Sequence, residues 1–455
     1  MLCSNMNDSI DKNLKRKHSW RVVSVSMLLL LVIPLLLLLA AATWFFGKQS
    51  SAARQWDRRL AELDQRGDPI DSESLQTFYE ARTSDENTNA WVDLRETIES
   101  DDFEKSAMSV PFLRRALDGN LEQPPTYPEG EWPDEDATRA FLDRWSVELN
   151  SLRKIAKAEL VSGRLPVRRP ITFRSIETHL PDTLILPTLA RILQLESIAA
   201  LSDGDDVRLF DCVQACRGLA RSADSEPLMI NQLFAIQAGQ IANEILQAAV
   251  ERDRLTNAQL DMAAASMSDF GDAYQSFTVA VQGERAIAMD VFDDPKNGQD
   301  MIHGNFSKLT RKTRAVDAVY YLDLMEDYQA VPGKDMQRFR AEVSRIESAG
   351  TKELQAMAGL DEFSHAISKT LQPPLATLAV AWVDRVADNR LTRVAICVRK
   401  FRREYGRWPD SFDELRAVAN FYEILVIDDA PFEYRFDQDE NAVVGEQIQL
   451  RPPAE

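Results

Sequence analysis

Cysteine and histidine are scarce, with four of each in 455 residues. So few cysteines rule out a disulfide scaffold in a chain of this length. Cys3 also precedes the first long apolar run and is separated by it from the other three. The histidines, His18, His179, His303 and His365, are scattered and form no H-E-x-x-H, which removes the helical zinc-protease pattern. There is no G-x-S-x-G elbow, no phosphate-cradling glycine loop and no Cys-x-x-Cys pair. No catalytic, cofactor-binding or metal-ligating residue is therefore assigned, although an enzyme assembled from scattered side chains is not excluded by missing motifs. Basic charge is also short, 53 residues against 72 acidic ones, for a net −19. Residues 1–46 hold five of the basic groups (Lys12, Lys15, Arg16, Lys17, Arg21) against Asp8 and Asp11, leaving 48 basic and 70 acidic residues beyond. A surface of that sign repels phosphate backbones and argues against nucleic acid as a partner.

What the chain does have is one long uncharged stretch. Residues 22–46 contain no charged side chain, and as a helix they exceed the roughly 30 Å of a bilayer core, enough to span it with tilt. Pro34 lies mid-span, where membrane helices tolerate it, and Trp20 and Trp44 fall near the two interfaces. A cleaved signal peptide ending at Ala40, Ala41 and Ala42 is the rival reading. Its apolar core normally runs about 7–15 residues, shorter than this one, and Trp44, Phe45 and Phe46 make an unsuitable mature start. An uncleaved anchor is expected, with the lipid bilayer as its partner. The positive cluster at 12–21 puts the N-terminus in the cytoplasm and the remainder in the periplasm or an equivalent compartment.

Beyond the anchor the periodicity is helical, and 45% hydrophobic with 27% charged residues suits a folded protein. A polar helix over 52–65 reads as a stalk. Helices follow over 72–82 and 87–100, with a further segment at 104–119. Four prolines at 124, 125, 128 and 133 make 120–135 a loop, and one longer helix covers 136–161. Residues 163–181 alternate Val167, Ile171 and Phe173 with polar residues and read as an extended crossing of the surface. Leu186, Ala190, Leu193, Ala200 and Leu201, widened by Ile192, Leu195 and Ala199, predict a helix buried on more than one side. A turn at 202–205 leads into a helix carrying Leu209, Cys212, Val213, Cys216 and Ala220, and Pro227 opens the next. Thr256 and Gln259 form a capping box, with Leu255 and Leu260 as its hydrophobic staple. In the last long helix Leu391, Val394, Ala395, Val398, Phe401 and Tyr405 share a stripe ending at Gly406. Ser411 and Glu414 suggest another capping box, and strands are expected over 431–437 and 442–449.

The expected fold is mainly α: one N-terminal transmembrane helix, then an α-hairpin solenoid or irregular helical bundle, then a small helix-plus-two-strand module. The divisions are a cytoplasmic tail at 1–21, the anchor at 22–46, a stalk and N-terminal helical region at 47–162, a central domain at 163–375 and a C-terminal part at 376–455.

Two stretches support a resemblance. Residues 393–415 (RVAICVRKFRREYGRWPDSFDEL) resemble the C-terminal portion of membrane-anchored helical proteins of planctomycete-type bacteria, and locally the periplasmic part of type II secretion pseudopilins. The run from Leu186 to about Phe292 is similar to the first group, through the 202–205 turn, Glu226-Pro227 and Gly283-Glu284-Arg285. That likeness implies a tethered helical body and brings no activity with it. The pseudopilin likeness covers about twenty-five residues and lacks the pseudopilin cleavage motif before residue 22.

Other candidates have plainer readings. Cys212, Cys216 and Cys397 suit core positions, with an intrahelical disulfide or metal half-site as the alternative for the first two. Glu362 and His365 have the spacing of a di-iron half-site without the rest of it and read as a surface helix turn. Asp437, Asp439 and Asn441 begin like a calcium loop, but Ala442 and Ile448 stand where its glycine and glutamate belong, so a hairpin turn is expected. Residues 293–300 likewise read as a turn. Glu284 and Arg285 suggest a buried polar pair. Arg399, Lys400, Arg402 and Arg403 suit a solvated helix C-terminus or, alternatively, a phospholipid patch. The functional expectation is a membrane-tethered, extracytoplasmic interaction or scaffold protein with an unidentified protein partner. A secretion or pilus-assembly accessory and an envelope hydrolase using scattered carboxylates are the alternatives.

Overall fold

Helices carry most of the described chain. The computed structural model describes residues 33, 35–37, 39–40, 43–44, 47–86, 88–117, 127, 134–161, 165–169, 171–173, 176–294, 310–333, 335–357, 365–418, 434–436, 442–444 and 448–450. In chain order the helices are α1 (47–65), α2 (Ser72–Arg82), α3 (Thr88–Ile98), α4 (Asp101–Met108), α5 (Pro111–Leu117), α6 (Glu135–Arg144), α7 (Ser146–Ala158) and α8 (Ile176–Asp203). They continue as α9 (Asp206–Asp224), α10 (Met229–Glu251), α11 (Asn257–Ala265), α12 (Phe270–Asp293), α13 (Arg311–Gln329), α14 (Met336–Ala356), α15 (Ala366–Leu371) and α16 (Leu375–Tyr405).

Apolar residues on several sides of a helix drive it inward. So it is with α10, whose Ala235, Ala238, Ile241, Ile245, Leu246 and Ala249 are buried and which packs against α8, α9, α12 and α16. One helix touching four others makes this a bundle around α10, not a stack of hairpins in which each meets only its neighbours. Two large apolar clusters result. One joins α3–α11 to the second half of α16, and the other joins α1 and α12–α15 to its first half. The 31-residue α16, about 46 Å long at 1.5 Å per residue, therefore runs through both. Leu378, Trp382 and Val386 serve one cluster, and Val394, Val398 and Phe401 the other.

The residues expected to form a polar stalk are held against the body. Ala52, Trp56 and Leu63 lie on one stripe of α1 and are buried. Arg311 stacks 4.4 Å from the Trp56 ring centroid, and Arg59 pairs with Asp323 and Glu326 of α13. The single helix expected over 136–161 breaks at Trp145, which leaves helical geometry so that its indole can meet Phe103 at 4.9 Å and donate to Ser106 Oγ at 3.0 Å. The 104–119 segment divides into α4 and α5. The extended segment begins as expected but does not lie on the surface: Val167, Ile171 and Phe173 are buried, and Val167 forms a parallel bridge with Ser84. Helix α8 starts at Ile176, so Pro181 and Pro187 fall inside it.

Pro227 precedes the first helical residue of α10, and the N-cap Leu228 supplies no side-chain hydrogen bond. Glu284 fills that role from α12: its carboxylate accepts the Met229 N–H at 2.9 Å. The neighbouring Gly283 permits the approach, because a Cβ there would stand 1.4 Å from the Pro227 carbonyl oxygen. Arg285 turns away toward Asp68 (3.4 Å) and Gln329, so Glu284 and Arg285 are not a pair. The Thr256–Gln259 capping box forms, Thr256 Oγ1 accepting the Gln259 N–H.

At the end of α16, Gly406 takes φ +70° and reverses the chain. Trp408 is thereby buried with Val394, Val398 and Phe401, its ring centroid 5.4 Å from the guanidinium of Arg399 and 5.3 Å from that of Arg402. Tyr405, expected on the same stripe, is 49% exposed. Arg399 and Lys400 are not solvated. Arg399 donates to the carbonyls of Val250 and Glu251 at the C-terminus of α10, both at 3.0 Å, and Lys400 reaches Asp261 at 2.6 Å. Partners from another helix outcompete water, which leaves no patch of free cations there. Ser411 makes no side-chain cap hydrogen bond to the 3₁₀ turn Phe412–Ala417; Glu414 instead accepts the Asp410 N–H at 2.8 Å. Farther on, β1 (Tyr434–Phe436), β2 (Ala442–Val444) and β3 (Ile448–Leu450) pair antiparallel in sequence order, so two strands occupy the span expected to hold one.

Among the described residues one helical stretch, Ile185–Asp203, is long and apolar enough to cross a membrane, and most of it is buried in the bundle. The expected anchor at 22–46 lies largely outside the described residues. Those of its residues that are described are helical, and Ile33, Leu35, Leu36, Leu37, Leu39 and Trp44 are 51–68% exposed.

Candidate functional site

A cleft of about 780 Å³ lies where the end of α2, Leu160, Leu165 and Pro166, the second half of α9, the α11–α12 connection, the first turns of α12 and the middle of α16 meet. That volume falls within the range of small-molecule sites. Among the described residues its walls carry four arginines (Arg82, Arg217, Arg221, Arg385) and two aspartates (Asp224, Asp272), and Asp388 and Glu159 act on Arg217 and Arg221 from behind the wall.

Helix α9 brings Arg217 and α16 brings Arg385, and both are nearly enclosed, at 2% and 3% exposure. Arg217 is held by a polar ladder that crosses the bundle. Its Nη1 donates to Asn389 Oδ1 at 3.2 Å and its Nη2 to Asn243 Oδ1. Asn243 donates in turn to Asn389 Oδ1 (2.9 Å) and to Asp388, and Gln247 donates to Thr392 Oγ1 (2.8 Å). Asn389 and Arg393 then tether the rim: Asn389 Nδ2 donates to the Ser268 carbonyl at 3.0 Å, and Arg393 Nη2 to that of Met267 at 2.6 Å.

The guanidinium of Arg385 stacks on Trp382 at 4.7 Å, with Nη2 3.5 Å from Asp224 Oδ2. Gly239 makes room for it; a Cβ there would be 2.8 Å from Arg385 Nε. Neither arginine is fully satisfied. Nε of Arg217, and Nε and Nη1 of Arg385, are buried with no acceptor among the described residues. Leaving a buried charged donor unpaired costs several kcal/mol. Burial, reinforced by repulsion from Arg385 and Arg393, pushes Arg217 down to about 9, so it stays protonated at neutral pH. Burial also raises Asp224 to about 6, against the pull of Arg385. Asp224 therefore remains mostly ionised at neutral pH and pairs with Arg385. Chemically, the arrangement suits an added anion.

The residues singled out from the sequence lie elsewhere. Cys212, Cys216 and Cys397 are free and buried, and burial raises all three thiols. Core packing accounts for them. His365 is also buried, its ring 5.2 Å from that of Tyr320, where a surface position was expected. Asp293 accepts from Arg311 Nε at 2.9 Å. Cys3, His18, His303, Glu362, Asp437, Asp439, Asn441 and residues 295–300 lie outside the described residues, as does the His179 side chain. Among the described residues no three His, Cys, Asp or Glu side chains gather as metal ligands would. The arginines of the cleft escaped the sequence reading. Arg217 alone has a local signal, a place among small residues in Ala215-Cys216-Arg217-Gly218. No protein-family model, no curated protein and no solved structure matches this chain.

Proposed function

We propose that this chain is a membrane-tethered binding protein that captures an anionic ligand in the arginine-lined cleft. The observation that carries the reading is the gathering of Arg82, Arg217, Arg221 and Arg385 at the wall of one cleft of about 780 Å³. An anion in the cleft adds negative charge beside that cluster, and partial burial strengthens the attraction.

The tether is residues 22–46. The uncharged composition of that stretch and the 51–68% exposure of its described apolar residues support it, since exposed leucines in a row need lipid around them. The positive cluster at 12–21 supports a cytoplasmic N-terminus, with the helical body in the periplasm or an equivalent compartment, where it engages its ligand or a protein partner presenting one.

Two measurements test the reading. A reporter active only outside the cytoplasm, fused after Glu455, should be active. The full chain in non-ionic detergent, screened against small acids, amines and neutral compounds, should show a raised thermal midpoint with acids selectively. Cytoplasmic activity of the fusion overturns the topology, and a screen in which no acid stabilises the protein overturns the binding role.

A further inference from the structure

Resting on the tether reading of residues 22–46, we infer that α1 joins anchor and body into one rigid, upright unit. It holds the cleft about 40 Å above the hydrocarbon core of the bilayer, beyond the reach of lipid headgroups.

The joint begins where the anchor ends. Every described residue from 33 to 65 is helical, and between Pro34 and Gln65 the one residue of low helix propensity is Gly47. The buried stripe of α1 starts at once, with Gln49 6% and Ala52 9% exposed. Gln49 lies three residues past the uncharged stretch, about 5 Å along the helix. A headgroup layer is itself about 5–8 Å deep. The body therefore takes hold of the helix as it leaves the lipid, with no free stalk between them.

The grip continues along the helix and supplies a scale. Arg311 donates to Asp57 and to Asp293 at the end of α12, both at 2.9 Å. Gln282 of α12 donates to Asp68 at 2.9 Å. Eleven residues of α12 thus run antiparallel beside the eleven from Asp57 to Asp68, in step, so α12 lies along the axis of α1. Asp57 stands about 16 Å past the uncharged stretch, and Gln275 in the cleft wall is about 27 Å farther along α12 from Asp293. Helix α2 gives a second measure. Its Ser72 N–H donates to Asp290 at 3.0 Å, and its other end reaches the cleft at Arg82, about 36 Å up. Even an anchor tilted by about 40° keeps the cleft about 30 Å away. The anion of the proposed reading then comes from the compartment and not from a phospholipid of the same membrane.

The test is pulsed dipolar spectroscopy of the full chain in phospholipid nanodiscs whose headgroups carry gadolinium. Nitroxides go on Gln275→Cys and, beside Arg311, on Lys312→Cys, both at exposed positions. Cys212, Cys216 and Cys397 are buried, and Cys3→Ser removes the fourth thiol. The Gln275 label should show no distance below about 25 Å, whereas the Lys312 label should reach below about 20 Å. A Gly-Ser-Gly-Ser insertion after Gly47 should bring the Gln275 label into the short range. Short distances at Gln275 in the uninserted chain, or an insertion that changes nothing, overturn the rigid joint while leaving the tether intact. A chain that does not enter the nanodiscs overturns the tether and the joint together.

Discussion

Replacing Gly283 with alanine sets helix propensity against packing, and the structure says which wins. In the interior of α12 alanine should stabilise the helix by about 1 kcal/mol. Its Cβ, however, would stand 1.4 Å from the Pro227 carbonyl oxygen and 2.6 Å from the carbonyl carbon, where ordinary contact begins at 3.4 Å. Backbone cannot swing aside like a flexible side chain, so α12 and the turn before α10 must part by about 2 Å. Overpacking of this kind costs about 1–3 kcal/mol. The same separation draws the Glu284 carboxylate from the Met229 N–H, 2.9 Å away, and a lost N-cap costs about 1–2 kcal/mol. After the propensity gain, the net loss is about 1–4 kcal/mol. Urea unfolding of the full chain in non-ionic detergent, followed by circular dichroism, should show a lower midpoint. Hydrogen exchange should quicken at Met229. A midpoint that is unchanged or higher refutes the close approach.

Trp408→Ala should cost about 3–5 kcal/mol as a large core side chain is lost, whereas Tyr405→Ala, on a half-exposed residue, should stay below about 1 kcal/mol; equal urea midpoints for the two variants contradict the docking of Trp408. Trp56→Ala should destabilise by a similar 3–5 kcal/mol or so, and a wild-type midpoint would mean that α1 does not pack on the body. Burial lifts Glu159 to about 7, above its unfolded value near 4, so the folded state binds more protons than the unfolded one between those limits. Stability should therefore fall as pH rises from about 4 to about 7 and level off above. Glu159→Gln should flatten that slope, and thermal midpoints that track the wild type across the window count against it.

Local chemistry was legible in the sequence. The Thr256–Gln259 box, the reversal at Gly406 and the multi-sided burial of Leu186–Ala200 each depend on residues within a turn or two of one another. What was hidden depends on distance along the chain. Arg399 reads as a solvated cation at a helix end until Val250, 149 positions earlier, presents its carbonyl. Arg217 meets Asn389 across 172 positions, and no periodicity announces that meeting. The docking of α1 falls between these cases: Ala52, Trp56 and Leu63 mark a stripe, but the high polarity of the remaining residues masks it. The cleft belongs wholly to the long-range class, since its four arginines come from three helices and acquire meaning only when α9, α16 and the end of α2 converge.

The central claim is that an anion occupies the cleft between α2, α9, α12 and α16. Hydrogen–deuterium exchange of the full chain in non-ionic detergent, with and without a saturating small acid that raises its thermal midpoint, tests it most directly. Exchange should slow only at the cleft walls, at residues 81–82, 160, 165 and 265–279, and that protection should be lost in Arg385→Gln. Protection that appears elsewhere in the bundle, or that survives Arg385→Gln unchanged, contradicts it.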